Sequence, residues 1–472
     1  MFRVDVNGKM ALLLICLTFV GCSHRMLGLG SQTSSSGSAP VILAITDAPP
    51  TMVSILAAQV TLTGATLNPG NVPLFSGSST LELTRLQTDT AYLSTTSVPA
   101  GNYTSLTITF ANPLLTIEND TNAVIATCSV GSICTIAPTA TANLATTISL
   151  PSFSVAGGSG QGLLLDVSLD NLLSASLDAD FKAGTTVSAF TPGGAGAPPV
   201  GAEDVLGQIS SVNAANKTFT LQNSTGSFSL TVDGTSTFLQ FPAGVCASSS
   251  FACLQNNQIV SVDMAMGASG TLLARNIVFE DTDNSDAEIE GTITATNVGQ
   301  QQFTIIPLTA SAAVNGLNLG VAATVHYSVT PQTLFDVDFV HADNMQITTN
   351  CCMFTGPTDL SVGQQVAIRR NPSSSGASIN ADRVRLRSTR VTGSVSNIGA
   401  PNFFLNNLPS IYSGNGVTQI EVRTSTPTIL SENNMPIVFT EIANNVLASV
   451  RGPLFNVSGS RTLVASKVQL KP

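Results

Sequence analysis

The stretch "ADRVRLRSTR" at 381–390 places Arg383, Arg385, Arg387 and Arg390 close together, with Arg369 and Arg370 shortly before it. Guanidinium groups grip phosphate and carboxylate bidentately. These six arginines therefore read as a site for an anionic ligand, as one side of an internal charge contact, or simply as a solvated face. A counter-charge exists in "EDTDNSDAEIE", 280–290. Within that segment Asp281, Asp283, Asp286 and Glu288 have calcium-like spacing, but the sixth-position glycine of a helical calcium loop is missing and the bidentate glutamate is displaced. A short calcium loop and an acidic linker both remain open. The third cluster joins His341 to Asp338 and Asp343, near Cys351 and Cys352. It is a weak metal candidate, because zinc sites favour spaced cysteines and histidines. Of the other histidines, His24 lies near the N-terminus and His326 in the strand-like "ATVHYSV". No G-x-S-x-G elbow or phosphate loop is present. No catalytic residue is assigned and no cofactor is expected; an enzyme with an unfamiliar site near His341 is kept as an alternative.

The elements that carry these residues are strands. Only 10% of residues are charged and 43% are hydrophobic, and short β-branched runs alternate with Asn, Gly, Asp and Pro turns, as in "TSLTITFANP". Amphipathic helical periods are missing. An all-β, multidomain chain follows. Because strand side chains alternate between faces, Arg383, Arg385 and Arg387 should project from one side, with Val384 and Leu386 toward a core. Charge is also divided along the chain: residues 369–472 hold 11 Lys plus Arg against 4 Asp plus Glu, in a protein of net charge -10.

The arginine stretch belongs to a repeat. "ARNIVFE" (274–280), "ADRVRLR" (381–387) and "ASKVQLK" (465–471) share an alanine followed by apolar residues two apart. Each copy opens on a strand glycine, Gly207, Gly291 or Gly393, followed by a strand centred on Phe219, Phe303 or Phe404. A later strand follows Leu254, Leu360 or Ile442. Units of this length can fold individually, and closing each sheet into a small antiparallel barrel removes exposed edges. The expected copies span 205–287, 288–387 and 388–472, the middle one enlarged between Phe335 and Leu360. Their order of elements resembles a repeat family of uncharacterised exported bacterial proteins, similar in outline to OB-like barrels. That resemblance implies no activity.

Residues 41–192 form a different unit, with "VILAITDAP" at its start, "VPAGNYTSLTITF" in the middle and "LLLDVSLDNLL" near its end. This combination resembles an uncharacterised N-terminal domain of bacterial lipoproteins, and "PAGNY" is similar to turns in transthyretin-like and carboxypeptidase-regulatory-like sandwiches. A transthyretin- or Ig-like β-sandwich is expected. "TPGGAGAPPVGA" makes 193–204 a linker.

Ahead of the folded part, Met10–Val20 is an apolar run too short to span a bilayer as a helix, so 1–21 reads as an export signal. "FVGC" at 19–22 resembles the lipidation box of bacterial lipoproteins, with Phe19 where that family usually has leucine. The resemblance implies that Cys22 becomes the acylated first residue, followed by a Ser- and Gly-rich tether over 22–40. Export makes disulfides the default for Cys128 with Cys134 and Cys246 with Cys253. Cys351 and Cys352 could bridge each other, pair elsewhere or remain thiols.

The expectation is an exported protein, lipid-anchored in the bacterial envelope at the outer membrane, with a non-enzymatic binding or scaffolding role. Its partners would be the membrane, through the anchor, and an anionic polysaccharide, lipopolysaccharide or another envelope protein. A carbohydrate-binding accessory lipoprotein is the alternative binding class. Nucleic acid is excluded as a partner, since single-strand binding wants stacking aromatics and the chain has no Trp and only four Tyr.

Overall fold

The computed structural model describes residues 37–48 and 54–471, apart from 143, 159, 193–199, 224–225, 235–236, 268–270, 283–286, 312–313, 315, 338–351, 372–373, 375–377, 426–427 and 433–434. The protein is all-β and multidomain. Its helices are single turns of three to five residues, and among the described residues none is long and apolar enough to cross a membrane.

The first unit has two facing sheets. One runs Thr185–Phe190, Gln161–Ser168, Ser38–Ala48, Ala91–Pro99; the other runs Val72–Glu82, Ser54–Asn68, Gly101–Glu118, Ile133–Ile136, with Ala145–Val155 also paired to Gly101–Glu118. Alternation sends Val41, Leu43 and Ile45 into a core shared with Leu62, Ile108 and Phe110 of the other sheet. The Tyr103 hydroxyl donates to the Pro99 carbonyl at 2.9 Å, closing the "PAGNY" turn. The first strand begins at Ser38, within the stretch read as tether. Cys128 is bridged to Cys134, and Cys246 to Cys253. Cys352 is also disulfide-bonded, while Cys351 lies outside the described residues.

Three closed barrels follow. Barrel 1 uses Gly201–Asn213, Thr218–Asn223, Gly226–Val232, Ile259–Met266 and Leu272–Asp281. Barrel 2 uses Glu288–Asn297, Gln302–Ala310, Ala323–Tyr327, Gln365–Arg370 and Ser378–Leu386. Barrel 3 uses Ser388–Gly399, Asn402–Asn406, Ile420–Arg423 and Leu447–Val457, its last strand dividing into Ser460–Val464 and Lys467–Lys471. Neighbours around each barrel are antiparallel except at one seam. There the third strand meets the last in parallel, pairing Val232 with Ala274, Tyr327 with Ala381, and Arg423 with Val464.

The repeated residues occupy equivalent places. Thr237, Thr333 and Thr428 each donate a hydroxyl to the carbonyl of the repeat alanine: Ala274, Ala381 and Ala465. The backbone N–H groups of Ile209, Ile293 and Val395 donate to the carbonyls of Gln258, Gln364 and Val446, each at 2.9 Å. The buried phenylalanines are Phe219, Phe303 and Phe403. Phe404, named from the sequence, is therefore corrected by one residue: in "NFFLN" both rings fit the pattern, and pairing of Phe403 with Val422 turns Phe403 inward.

The opening glycines have a packing reason. A Cβ on Gly207, Gly291 or Gly393 would stand 2.8, 2.6 or 2.7 Å from the carbonyl oxygen of Gln222, Ile306 or Asn406 on the adjacent strand. Since the obstacle is backbone, Gly291→Ala is expected to lower stability by about 1–3 kcal/mol, the range for an overpacked core. Thermal unfolding at fixed pH checks this; an unchanged midpoint would show that the strand bends out of the way at no cost.

Candidate functional site at the unit junctions

The strand Ser378–Leu386 turns Val384 and Leu386 fully into the core of barrel 2. Its opposite face carries the arginines, and that face is covered by carboxylates. Glu280, at the end of barrel 1, accepts from Arg383, from Arg385 at 2.7 Å and from Arg387 at 2.9 Å. Arg383 also donates to Glu288 at 3.0 Å, and Arg385 forks onto Asp336 at 3.1 and 3.0 Å. Arg387 meets Glu290 at 3.4 Å, and Glu290 accepts from Arg85 of the sandwich at 2.9 Å. The side chains of Glu280 and Glu288 are wholly buried and that of Arg387 is 3% exposed, so this is a dry contact rather than a solvated charged face.

The remaining arginines lie in related contacts. Arg369 reaches Asp281 at 3.3 Å, and Arg370 donates to the Ser374 carbonyl. Arg390, in the first strand of barrel 3, pairs with Asp89 of the sandwich and donates to the Thr88 hydroxyl at 3.1 Å. The sequence did not single out Arg85, Asp89, Glu203, Arg451 or Lys467. Arg451, 1% exposed, pairs with Glu203 of barrel 1, and Lys467 lies 3.6 Å from Asp89.

The repeat supplies the signal that finds two of these. Two residues beyond each repeat alanine stand Asn276, Arg383 and Lys467. Their cross-strand partners are Asp263, Arg369 and Arg451. In barrel 1 this pair bonds within itself, Asn276 donating to Asp263 at 2.7 Å. In barrels 2 and 3 both members are cations, and like charges directly opposite on a sheet repel. Each cationic pair is instead met by acids: Asp281, Glu280 and Glu288 for barrel 2, Glu203 and Asp89 for barrel 3. One repeat position thus becomes a socket that accepts carboxylates from other units, to which barrel 2 adds its own Glu288.

The network shifts its own titrations. Burial lifts Glu288 to about 7; Arg383 opposes that and the negative charge of Glu280 adds to it. At Asp89 burial pushes upward, but Arg390, Lys467 and Arg451 outweigh it and hold the carboxyl well below its ordinary range.

Of the calcium candidates, Asp281 and Glu288 are bonded to guanidinium groups, whereas Asp283 and Asp286 lie outside the described residues. Among the described residues no three His, Cys, Asp or Glu side chains gather as a metal site. His326 is half-buried in Ala323–Tyr327, paired in register with Gln302 and Asn380. His24, Asp338, His341, Asp343 and Cys22 lie outside the described residues.

Residues 207–278, most of barrel 1, match a family described as a domain of unknown function (DUF5666). No curated protein matches the chain.

Proposed function

We propose that this is a non-enzymatic, lipid-anchored component of a bacterial cell envelope, whose sandwich and barrels act as one stiff body that holds or spaces other envelope components. The observation that supports this reading is the buried junction centred on Glu280, where one carboxylate accepts three guanidinium groups from the next barrel. Multi-centre, desolvated charge contacts fix orientation between partners more than they add raw affinity. The apolar contacts agree: Leu56 and Ala57 of the sandwich join the core of barrel 3, and Phe455 of barrel 3 joins that of barrel 2. Because the guanidinium groups of Arg383, Arg385 and Arg387 already meet carboxylates, scaffolding is better supported than capture of an anionic polymer by these residues.

Two measurements test the proposal. Cys22→Ser should move the protein from the membrane fraction to the soluble fraction of the envelope; an unchanged distribution removes the anchor. Small-angle scattering of the soluble form should fit a single rigid particle, and replacing Arg383, Arg385 and Arg387 together by glutamine should broaden the interparticle-free distance distribution. Flexible, bead-like scattering from the native protein would end the scaffold reading.

A further inference from the structure

A cleft of about 560 Å³ opens where the sandwich, barrel 2 and barrel 3 meet. We propose that it binds a short stretch of neutral oligosaccharide. Its size lies within the roughly 300–1,000 Å³ typical of small-molecule sites, which favour domain interfaces.

The walls are fixed before any ligand arrives. The Ser410 N–H donates to the Ser54 hydroxyl at 2.7 Å, joining barrel 3 to the sandwich, and the Ser410 hydroxyl donates to Glu118 at 3.0 Å. The Tyr412 hydroxyl donates to the Gly363 carbonyl at 3.1 Å, joining barrel 3 to barrel 2. Such preorganisation lowers the ordering cost of binding.

The chemistry of the lining selects the class of ligand. Gln87, Thr292, Gln365, Thr392, Asn407 and Ser413 line it with uncharged amides and hydroxyls from all three units; Thr392 is held by Gln87 and Ser449, Asn407 donates to Ser394 and Ser413 to the Pro409 carbonyl, so a ligand meets their remaining donors and acceptors in fixed positions. Ile55, Leu408 and Ile411 supply apolar surface between them. A sugar ring matches both, presenting hydroxyls at its edge and C–H groups on its face. An anion is disfavoured: Arg390 is the one lysine or arginine among the lining residues and it is paired with Asp89, while Asp120 adds negative charge. A peptide strand is disfavoured because the polar groups available are side chains rather than a free sheet edge.

The site goes beyond the scaffold reading and does not depend on it; a stiff spacer without a saccharide would leave that reading intact. The test is calorimetric titration of the full-length protein with cellotetraose, maltotetraose and tri-N-acetylchitotriose, with hyaluronan and a neutral Gly-Ala tetrapeptide as controls. Saturable binding of at least one neutral saccharide is expected. Ser413→Trp, at the exposed rim, should abolish it. Thr292→Val combined with Asn407→Gly should weaken it about tenfold by removing a hydroxyl and an amide; glycine suits the positive φ of 50° or so at Asn407, which is 51°. Unchanged melting temperatures show that these variants fold. Absence of saturation with all three saccharides, retention of binding in Ser413→Trp, or binding of hyaluronan or the tetrapeptide instead would overturn the proposal.

Discussion

Replacing Glu280 with alanine is expected to lower the unfolding free energy by about 3–5 kcal/mol, the usual cost of removing one partner from a buried charge contact. The carboxylate faces Arg383, Arg385 and Arg387, whose side chains are 9%, 15% and 3% exposed. Without it Arg383 keeps Glu288, Arg385 keeps Asp336 and Arg387 keeps Glu290, yet three positive charges then crowd a dry space with no common anion. Arginine cannot relieve this by losing its proton. The contact crosses from barrel 1 to barrel 2, so the loss should appear at the junction as well as in global stability. Urea unfolding followed by circular dichroism suits a chain that lacks tryptophan. Limited proteolysis should then separate barrel 1 from barrel 2 more readily in the variant than in the native protein. A loss below about 1 kcal/mol would place the contact in the class of solvated surface pairs. Arg423→Gln serves as the control, because Arg423 and Glu421 form a partly exposed pair within barrel 3 and should matter by less than about 1 kcal/mol.

Much of this arrangement was legible in strand alternation. Val384 and Leu386 turn inward because of the two-residue period, and the arginines between them turn outward for the same reason. What the period cannot express is that the outward face is itself covered. A strand packed on both sides usually announces itself as a continuous apolar run; here the second face is buried with charge, so it has the pattern of a solvent-facing strand. The acidic partner at 280–290 was visible as a candidate, but Arg85, Asp89 and Glu203 carry no local signal, since they reach the junction only through tertiary packing. Lys467 and Arg451 could have been found by aligning the repeat alanines and counting two residues forward and across. The close cysteine pairs were readable because six or seven residues can close a turn. The cleft was not readable, because its lining comes from separated segments of three units and no one segment has an unusual composition.

Glu288→Gln should have an effect that depends on pH, and its sign is opposite to that of most buried salt-bridged carboxylates. The ordinary value is 4.5 and the folded protein raises Glu288 to about 7. Below about pH 4.5 the group is protonated in both states and contributes no pH dependence. Between about 4.5 and 7 the folded protein retains a proton that the unfolded chain has released, so the contribution of this residue to stability falls as pH rises. Above about 7 the full cost remains, on the order of 3 kcal/mol from the size of the shift. Glutamine stays neutral throughout and retains a carbonyl to accept from Arg383. The variant should therefore be close to the native protein at pH 5 and gain on it steadily toward pH 8. Other groups titrate as well: burial raises Asp47 and Glu82, while the cations around Asp89 lower it. Their contributions largely cancel when variant and native protein are subtracted at each pH, so the difference curve belongs mainly to Glu288 and its immediate network. A difference that is flat from pH 5 to 8 would mean that Arg383 keeps Glu288 ionised across this range. A rising difference would mean that the junction between barrels 1 and 2, where Glu280 meets Arg383, Arg385 and Arg387, tightens on mild acidification.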